Sequence, residues 1–448
     1  MAKAKANWEC PQDWSEWSSW LTSGLHGRNR WRLGILLVGL LFAGGRRTVT
    51  SWLRAAGIDA RWSSYYYFLS SVGRKSEAVA ERLFVLLLRH LPLPERLQVN
   101  IDDTPTKRYG PEVQGADIHH NPTPGPADAK FLYGHVWVVM ALVVQHKWWG
   151  TIGLPLLAKL YVRKKTIDKL CEKTPWEFAT KLVLAARMVE WFARIAQQAG
   201  KTVWVAVDGF YAKRPFLRRA LAAGVVVVSR LRKDARLFEL PPKPKKGPRK
   251  RGRPRKYGKK RISLAKRAAH RNGWEQATCT VYGQTVEKTY KSFVAVYGPA
   301  GGVIRVVIVR EEHGCQHFFC TDPEATPQEI IEAFADRANI EQVFHDEKEV
   351  WGIGQQQLRN VWANIGALHL NLWMHTLVEL WAWKKTKNQL CDRSASPWDD
   401  SDRRPSHADR RKALRRHIMQ THFSTITAVW CLPRKIHRLT KQLLALAA

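Results

Sequence analysis

The chain has 448 residues, 73 of them Lys or Arg against 38 Asp or Glu, for a formal charge of +35. That length buries large cores and fits about two or three domains, which excludes a small scaffold held by disulfides. A charge this lopsided repels itself, so a polyanion, with nucleic acid as first candidate, is the expected partner. The seven cysteines (Cys10, Cys171, Cys279, Cys315, Cys320, Cys391 and Cys431) are odd in number and form no C-x-x-C pair. They read as reduced thiols of an intracellular protein without structural zinc. Leu33 to Phe42 is the most apolar run and is too short to span a bilayer; no cleavable signal is visible, so no membrane partner is expected.

Residues 1–95 show helical apolar spacing and are expected to form an N-terminal helical domain that binds DNA. Within it, a short helix through Trp52 and Leu53, a turn at Gly57 and a helix from near Arg61 resemble a helix-turn-helix, flanked by Arg46, Arg47 and Arg54. A packed helical hairpin fits the same pattern. Leu97, Val99 and Ile101 then alternate along a strand ending in Asp102 and Asp103, followed by a Gly/Pro-rich loop to Lys130. FLYGHVWVVMALVVQ and TIGLPLLAKLYV supply two further extended runs. Pro175 to Gln198 reads as a long apolar helix closed by Gly200. TVWVAV is a buried strand that leads into Asp208; Arg214 to Ala223 is a helix, and VVVVSRL a further strand. This order gives a mixed α/β fold whose first core part covers 96–234.

Residues 235–321 hold a basic loop and a β-rich insertion. Lys243 to Arg261 has 12 Lys/Arg and no acid, and cannot bury a core. Its centre, Arg251-Gly252-Arg253-Pro254-Arg255-Lys256, resembles an AT-hook, in which arginines enter a narrow A·T-rich minor groove and glycine lets the backbone approach. A second core part, 322–386, opens with one helix over Thr326 to Lys348, started by a Thr326/Glu329 capping box with Pro327 at the first position. At about 100° per residue, Phe334, Arg337, Glu341 and Lys348 share one face, with Asp336, Asp346 and Glu332 turned away. Another long helix, Gly366 to Lys384, follows; 387–448 is a polar linker and a basic helical tail.

The acids Asp102 or Asp103, Asp208 and Glu341 are candidate ligands for two hard cations, which need carboxylate oxygens. Such a pair promotes in-line phosphoryl displacement. The order Asp102-Asp103-Thr104, Asp208-Gly209, then a β-rich stretch and a helix with Phe334-x2-Arg337-x3-Glu341-x6-Lys348, is similar to bacterial insertion-sequence DDE transposases of the Y-R-E-K type. Phe334 stands where that family has tyrosine, which removes a hydroxyl.

The resemblance implies a ribonuclease-H-like mixed sheet flanked by helices and interrupted by a β-rich insertion. It also implies dependence on two Mg2+ (or Mn2+) ions and movement of an element with terminal inverted repeats. Double-stranded DNA, both transposon ends and target, is then the partner of a homodimer, in a bacterial cytoplasm and associated with the nucleoid. The D-x-T form favours Asp102 as first ligand, yet Asp103 continues the Leu97/Val99/Ile101 face, so either fits. Arg337 and Lys348 are expected on phosphates, and Trp274 either stacks on an extruded base or packs on the inserted sheet. Lys107, Arg108, Arg214, Arg230 and Arg232 follow strand ends and are further candidate phosphate contacts. His119, His120, His135 and Asp117 match no standard metal-binding spacing. A non-catalytic, domesticated DNA-binding protein and a ribonuclease-H-like nuclease without strand transfer are the competing functions.

Overall fold

The computed structural model describes residues 8–121, 129–171, 174–242, 255–393, 396 and 398–427. The chain opens with α1 (Gln12–Thr22), α2 (Arg32–Phe42), α3 (Val49–Ala55), α4 (Ser63–Arg74) and α5 (Ser76–His90). Strands β1 (Arg96–Lys107), β2 (Asp117–His120), β3 (Phe131–His146) and β4 (Gly150–Tyr161) follow. Then come α6 (Lys164–Cys171), α7 (Lys181–Gln198), β5 (Thr202–Val207), α8 (Arg214–Ala222) and β6 (Val226–Arg230). The next stretch holds β7 (Leu237–Phe238), β8 (Arg261–Ile262), α9 (Leu264–Ala269), β9 (Glu275–Val281), β10 (Gln284–Tyr297), β11 (Gly302–Glu311) and β12 (Gly314–Cys320). The last described elements are α10 (Pro327–Ala335), α11 (Asn339–Glu349), α12 (Val361–Ala382), α13 (Lys387–Leu390) and α14 (His407–Thr427).

Along one stretch of the sheet the order is β4-β3-β1-β5-β6. β4, β3 and β1 are antiparallel neighbours, while β1, β5 and β6 run parallel. The parallel connections run through α7 and α8, which pack on one face, as parallel neighbours require a crossover. This is the ribonuclease-H-like arrangement. On the opposite face α10 lies against β5, β6 and β12, α11 against β1 and β4, and α12 against β4. The strands after β6 are not a separate sheet. β12 pairs antiparallel with β6 (Phe319 opposite Ser229), and β11, β10 and β9 extend the same sheet outward.

The leading helices are not isolated from this body. α4 crosses α12 so closely that a Cβ on Gly73 would lie 2.0 Å from the Trp362 carbonyl oxygen, and one on Gly366 would lie 2.0 Å from that of Leu69. α12 is buried along almost its whole length, although Asn364, His369, Asn371, His375, Thr376 and Glu379 lie within it. Among the described residues no helix is long and apolar enough to cross a membrane.

Several boundaries differ from the sequence expectation. The helix expected over Thr326 to Lys348 is broken by a 3-10 turn at Asp336–Ala338, where Gln98 and Asn100 of β1 donate side-chain hydrogen bonds to the Ala333 and Asp336 carbonyls. Its start is as read: the Thr326/Glu329 capping box is formed and Pro327 is at the first position. α7 begins at Lys181 rather than Pro175, because the Thr180 hydroxyl caps it. α12 starts at Val361, with Asn360 as cap, earlier than Gly366. The loop after β1 contains strand β2, and the linker after α12 contains α13. β1 itself does not end at the acids but continues to Lys107.

Candidate active site

The site starts from an alternation written into β1. Leu97, Val99 and Ile101 face α7, while Gln98, Asn100 and Asp102 face α10 and α11, as successive side chains of a strand must. β1 and β5 pair in parallel with Ile101 opposite Val207. The pairing ends there, with Asp102 and Asp208 next in their chains, and the Asp208 charge reaches the Asp102 carboxyl. β5 stops at Val207, so Asp208 begins the turn in which the Tyr211 N–H donates to its carbonyl.

The same alternation separates the two adjacent aspartates. Asp103 points to the α7 side, where it accepts from Lys181 Nζ at 2.6 Å and the Tyr211 hydroxyl at 3.2 Å. Asp102 points to the helix side, where Arg337 Nη1 donates to its Oδ2 at 2.9 Å. Arg337 Nη2 donates in turn to Glu341 Oε1 at 3.0 Å, so one guanidinium bridges the two acids. Lys181 and Tyr211 escaped the sequence reading. Their signal was slight: a lysine at a helix start and a tyrosine just after Asp208-Gly209. Burial pushes the Asp102 carboxyl up to about 6 against the pull of Arg337, and the neighbouring Asp103 and Asp208 charges add to the rise. The Glu341 side chain is 63 % exposed, in the first turn of α11.

The 3-10 turn shapes what the helix presents. It aims Arg337 inward, 15 % exposed, rather than out toward a phosphate. Phe334 packs against Phe318 with ring centroids 4.8 Å apart, and the Arg337 guanidinium lies 5.6 Å from its ring. Lys348 is exposed in the last turn of α11. Asp336 and Asp346 turn away, as expected: Asp336 accepts from Thr151 and Gln145, and Asp346 is buried.

The other candidates scatter. Trp274 is half-buried, with Lys291 Nζ 4.7 Å and Arg310 4.2 Å from its ring, and its indole N–H donates to the His270 carbonyl. Arg251 and Arg253 lie outside the described residues; Arg255 and Lys256 are exposed. Arg108 is no surface contact. It is buried, donating to His135 Nδ1 and to the Gly354 carbonyl, and burial lowers its pKa to about 10. Arg232 pairs with Asp234, while Arg214 and Arg230 are exposed. In the helix-turn-helix stretch, Gly57 makes the turn with φ +72, α4 buries Tyr65, Phe68, Leu69 and Val72, and Trp62 and Tyr67 are exposed.

Among the described residues one cluster of metal-ligating side chains lies elsewhere: Asp346, His375 and His407 come within 4.8 Å of one another, all buried. None of them is a residue that the motifs single out. His407 has no nitrogen to spare, since Nδ1 donates to Glu379 and Nε2 accepts from the Trp351 indole. The two imidazoles stack face to face at 3.8 Å, which points their lone pairs side by side rather than at a common centre. We read this group, with Arg410 forked onto Glu379, as a polar tie between α11, α12 and α14.

The acids on β1 and the turn after β5 fall within the region that a known family covers. A profile of the family described as DDE superfamily endonuclease matches residues 21–291. The chain belongs to this family. No curated protein matches it. The matched region contains Asp102, Asp103 and Asp208 and stops before Glu341. Membership in the DDE superfamily endonucleases makes the protein a nucleic-acid-cleaving enzyme of the nuclease and transposase type, acting on DNA, in a superfamily that uses divalent metals. The local donors suit such ions. Asp102, Asp208 and Glu341 offer only oxygen, the preference of hard cations, and one cationic group already fits between two of them.

Proposed function

We propose that this DDE superfamily endonuclease is an insertion-sequence transposase: it cuts DNA at the inverted-repeat ends of an element and joins the freed 3′-hydroxyl to target DNA. The observation that carries the site assignment is that the parallel pairing of β1 and β5 ends at Ile101–Val207, with Asp102 and Asp208 next in their chains, and that Arg337 bridges Asp102 to Glu341. Asp102, Asp208 and Glu341 would hold two Mg2+ (or Mn2+) ions. Bound there, such a pair activates the attacking oxygen and stabilises the leaving one.

The chain's own residues supply the rest. Arg337 keeps Asp102 and Glu341 at one spacing and neutralises part of their repulsion. Gln98 and Asn100 anchor the turn that places Glu341. Lys348, one face along α11, is the exposed cation for a strand leaving the site. The helices of residues 1–95 and the basic stretch through Arg251, Arg253, Arg255 and Lys256 would hold the duplex, and a homodimer would hold two ends together.

The test is cleavage of the element's terminal DNA in Mg2+. Asp208→Ala and Glu341→Ala are expected to lower it by several orders of magnitude while leaving DNA binding intact; full activity in either variant overturns the assignment. Pre-cut ends then separate the competing nuclease, which would cleave but not join.

A further inference from the structure

The parallel ladder of β1 and β5 ends at Ile101–Val207, one residue short of Asp102 and Asp208, so the ladder itself does not fix how far apart the two acids stand. Tyr211 spans that gap. Its backbone N–H donates to the Asp208 carbonyl at 2.9 Å, closing a turn over Gly209 and Phe210. Its hydroxyl crosses to β1 and donates to Asp103 Oδ1 at 3.2 Å. The Asp103 N–H donates in turn to Asp102 Oδ1 at 2.8 Å. One chain of hydrogen bonds thus runs from the backbone of the second acid to the carboxylate of the first.

The packing around this chain holds it in one place. Tyr211 is wholly buried, its ring set edge-on to Phe210 and Phe216 with centroids 5.2 and 5.9 Å away. A buried phenol needs a partner for its hydroxyl, and Asp103 is that partner. Burial first, and then the charges of Asp103, Asp102 and Asp208, raise the Tyr211 pKa well above the usual phenol range, so all three acids act on this one hydroxyl. Lys181 holds the other Asp103 oxygen at 2.6 Å. It is the first residue of α7, where a cation opposes the helix dipole, and its place is explained by the acid that it meets. Held at both oxygens, Asp103 is a fixed post to which Tyr211 moors the turn that carries Asp208.

We propose that Tyr211 is a positioning residue for the divalent-cation site: through Asp103 it sets the separation of Asp102 and Asp208 at which both carboxylates can hold the ions. The inference rests on the reading of those two acids as ligands. Mg2+ demands near-octahedral oxygen ligands at about 2.0 to 2.1 Å, so acids whose separation drifts bind it less well. Groups that touch the ligands rather than the ion hold such a geometry, and losing one typically weakens metal binding about 10- to 100-fold.

The experiment is Mn2+ uptake by the full chain, read from the spin-resonance signal of the free ion, with Asp208→Ala as the baseline that lacks the site. Tyr211→Phe keeps the buried ring and removes only the hydroxyl. It is expected to raise the half-saturating Mn2+ concentration about tenfold. Cleavage of terminal DNA by this variant should fall at low Mg2+ and return toward the wild-type rate at high Mg2+, a recovery that general damage to the fold would not give. Tyr297→Phe is the control: the Tyr297 hydroxyl donates to the Ala212 carbonyl, also at 3.2 Å, so its loss frees the neighbouring residue without touching β1. This variant should keep wild-type Mn2+ uptake. Unchanged uptake in a folded Tyr211→Phe protein, or an equal shift in Tyr297→Phe, would overturn the inference and leave Asp102 and Asp208 as ligands. Wild-type uptake no greater than that of Asp208→Ala would remove the metal reading of the acids and the inference with it.

Discussion

Two neighbouring aspartates of like chemistry are set apart by one step of strand alternation. Asp103 is engaged on both oxygens, by Lys181 and Tyr211, on the face that packs α7. Asp102 accepts from Arg337 on the other face, and the Asp208 charge reaches it. The structure thereby gives a physical reason to rank Asp102 ahead, which the sequence alone left open. Asp102→Asn is expected to abolish cleavage with little change in stability, because it relieves a crowded group of carboxylates. Asp103→Asn is expected to keep most cleavage but to lose about 2 kcal/mol of stability, the scale of a partly buried hydrogen bond to a charged group. Urea unfolding alongside the cleavage assay checks both; the reverse pattern would make Asp103 the ligand.

At the scale of elements, what could be read from the sequence is what local chemistry decides. Alternation in β1 and β9 to β12 and the continuous apolar run of β5 mark the strands, and the Thr326/Glu329 box with Pro327 marks the start of α10. What could not be read depends on distant partners. The 3-10 turn that reorients Arg337 is held by Gln98 and Asn100, more than two hundred residues earlier in the chain. β1 runs on through Pro105 because β5 has already ended, so one edge of β1 is unpaired where the proline lies, and an unpaired edge tolerates a missing N–H. The strands read as an insertion extend the core sheet because β12 finds β6, a pairing that no local pattern encodes. The crossing of α4 and α12 belongs here too. Both Gly73 and Gly366 bring backbone against backbone, so Gly366→Ala has nowhere to put its methyl group unless the helices separate. A loss of about 2 to 3 kcal/mol is expected, as for an overpacked core. Gly302→Ala, where a Cβ meets nothing within 4 Å, is the control that should unfold at nearly the wild-type urea midpoint.

For the molecule as a whole, α12 joins the leading helices, the sheet and α14, and it does so with polar groups in an apolar setting. β4 carries a register shift, with Leu157 opposite Met140 but Pro155 opposite Ala141, which leaves Leu156 between them without a partner in the ladder. α12 supplies the missing partners: the Trp373 indole donates to the Leu156 carbonyl, Thr376 to that of Pro155, and His369 Nε2 accepts the Ala158 N–H. His369 Nδ1 donates to the Ile365 carbonyl, so its neutral tautomer is fixed from both sides. Burial, with no nearby acid strong enough to offset it, lowers its pKa to about 4, and a proton on Nε2 would set one donor against another. The folded pKa is below the unfolded one, so the unfolded chain takes up the proton first as pH falls. The contribution of His369 to stability is therefore full above about pH 6.5 and is lost between there and about pH 4, at about 1.4 kcal/mol per pH unit. The whole-molecule profile is shallower than this, because Asp102 and Asp336, both raised to about 6 chiefly by burial, favour the folded state over much of the same window. The difference between two proteins isolates the histidine. His369→Gln keeps an acceptor for the Ala158 N–H but cannot titrate. Its unfolding free energy, measured in urea at steps from pH 7 to 5, should fall less steeply with acid than that of the wild type, by up to about 1.4 kcal/mol per unit. Parallel profiles would mean that His369 gains its proton within the fold, and that the polar tie between α12 and β4 yields before the rest of the molecule does.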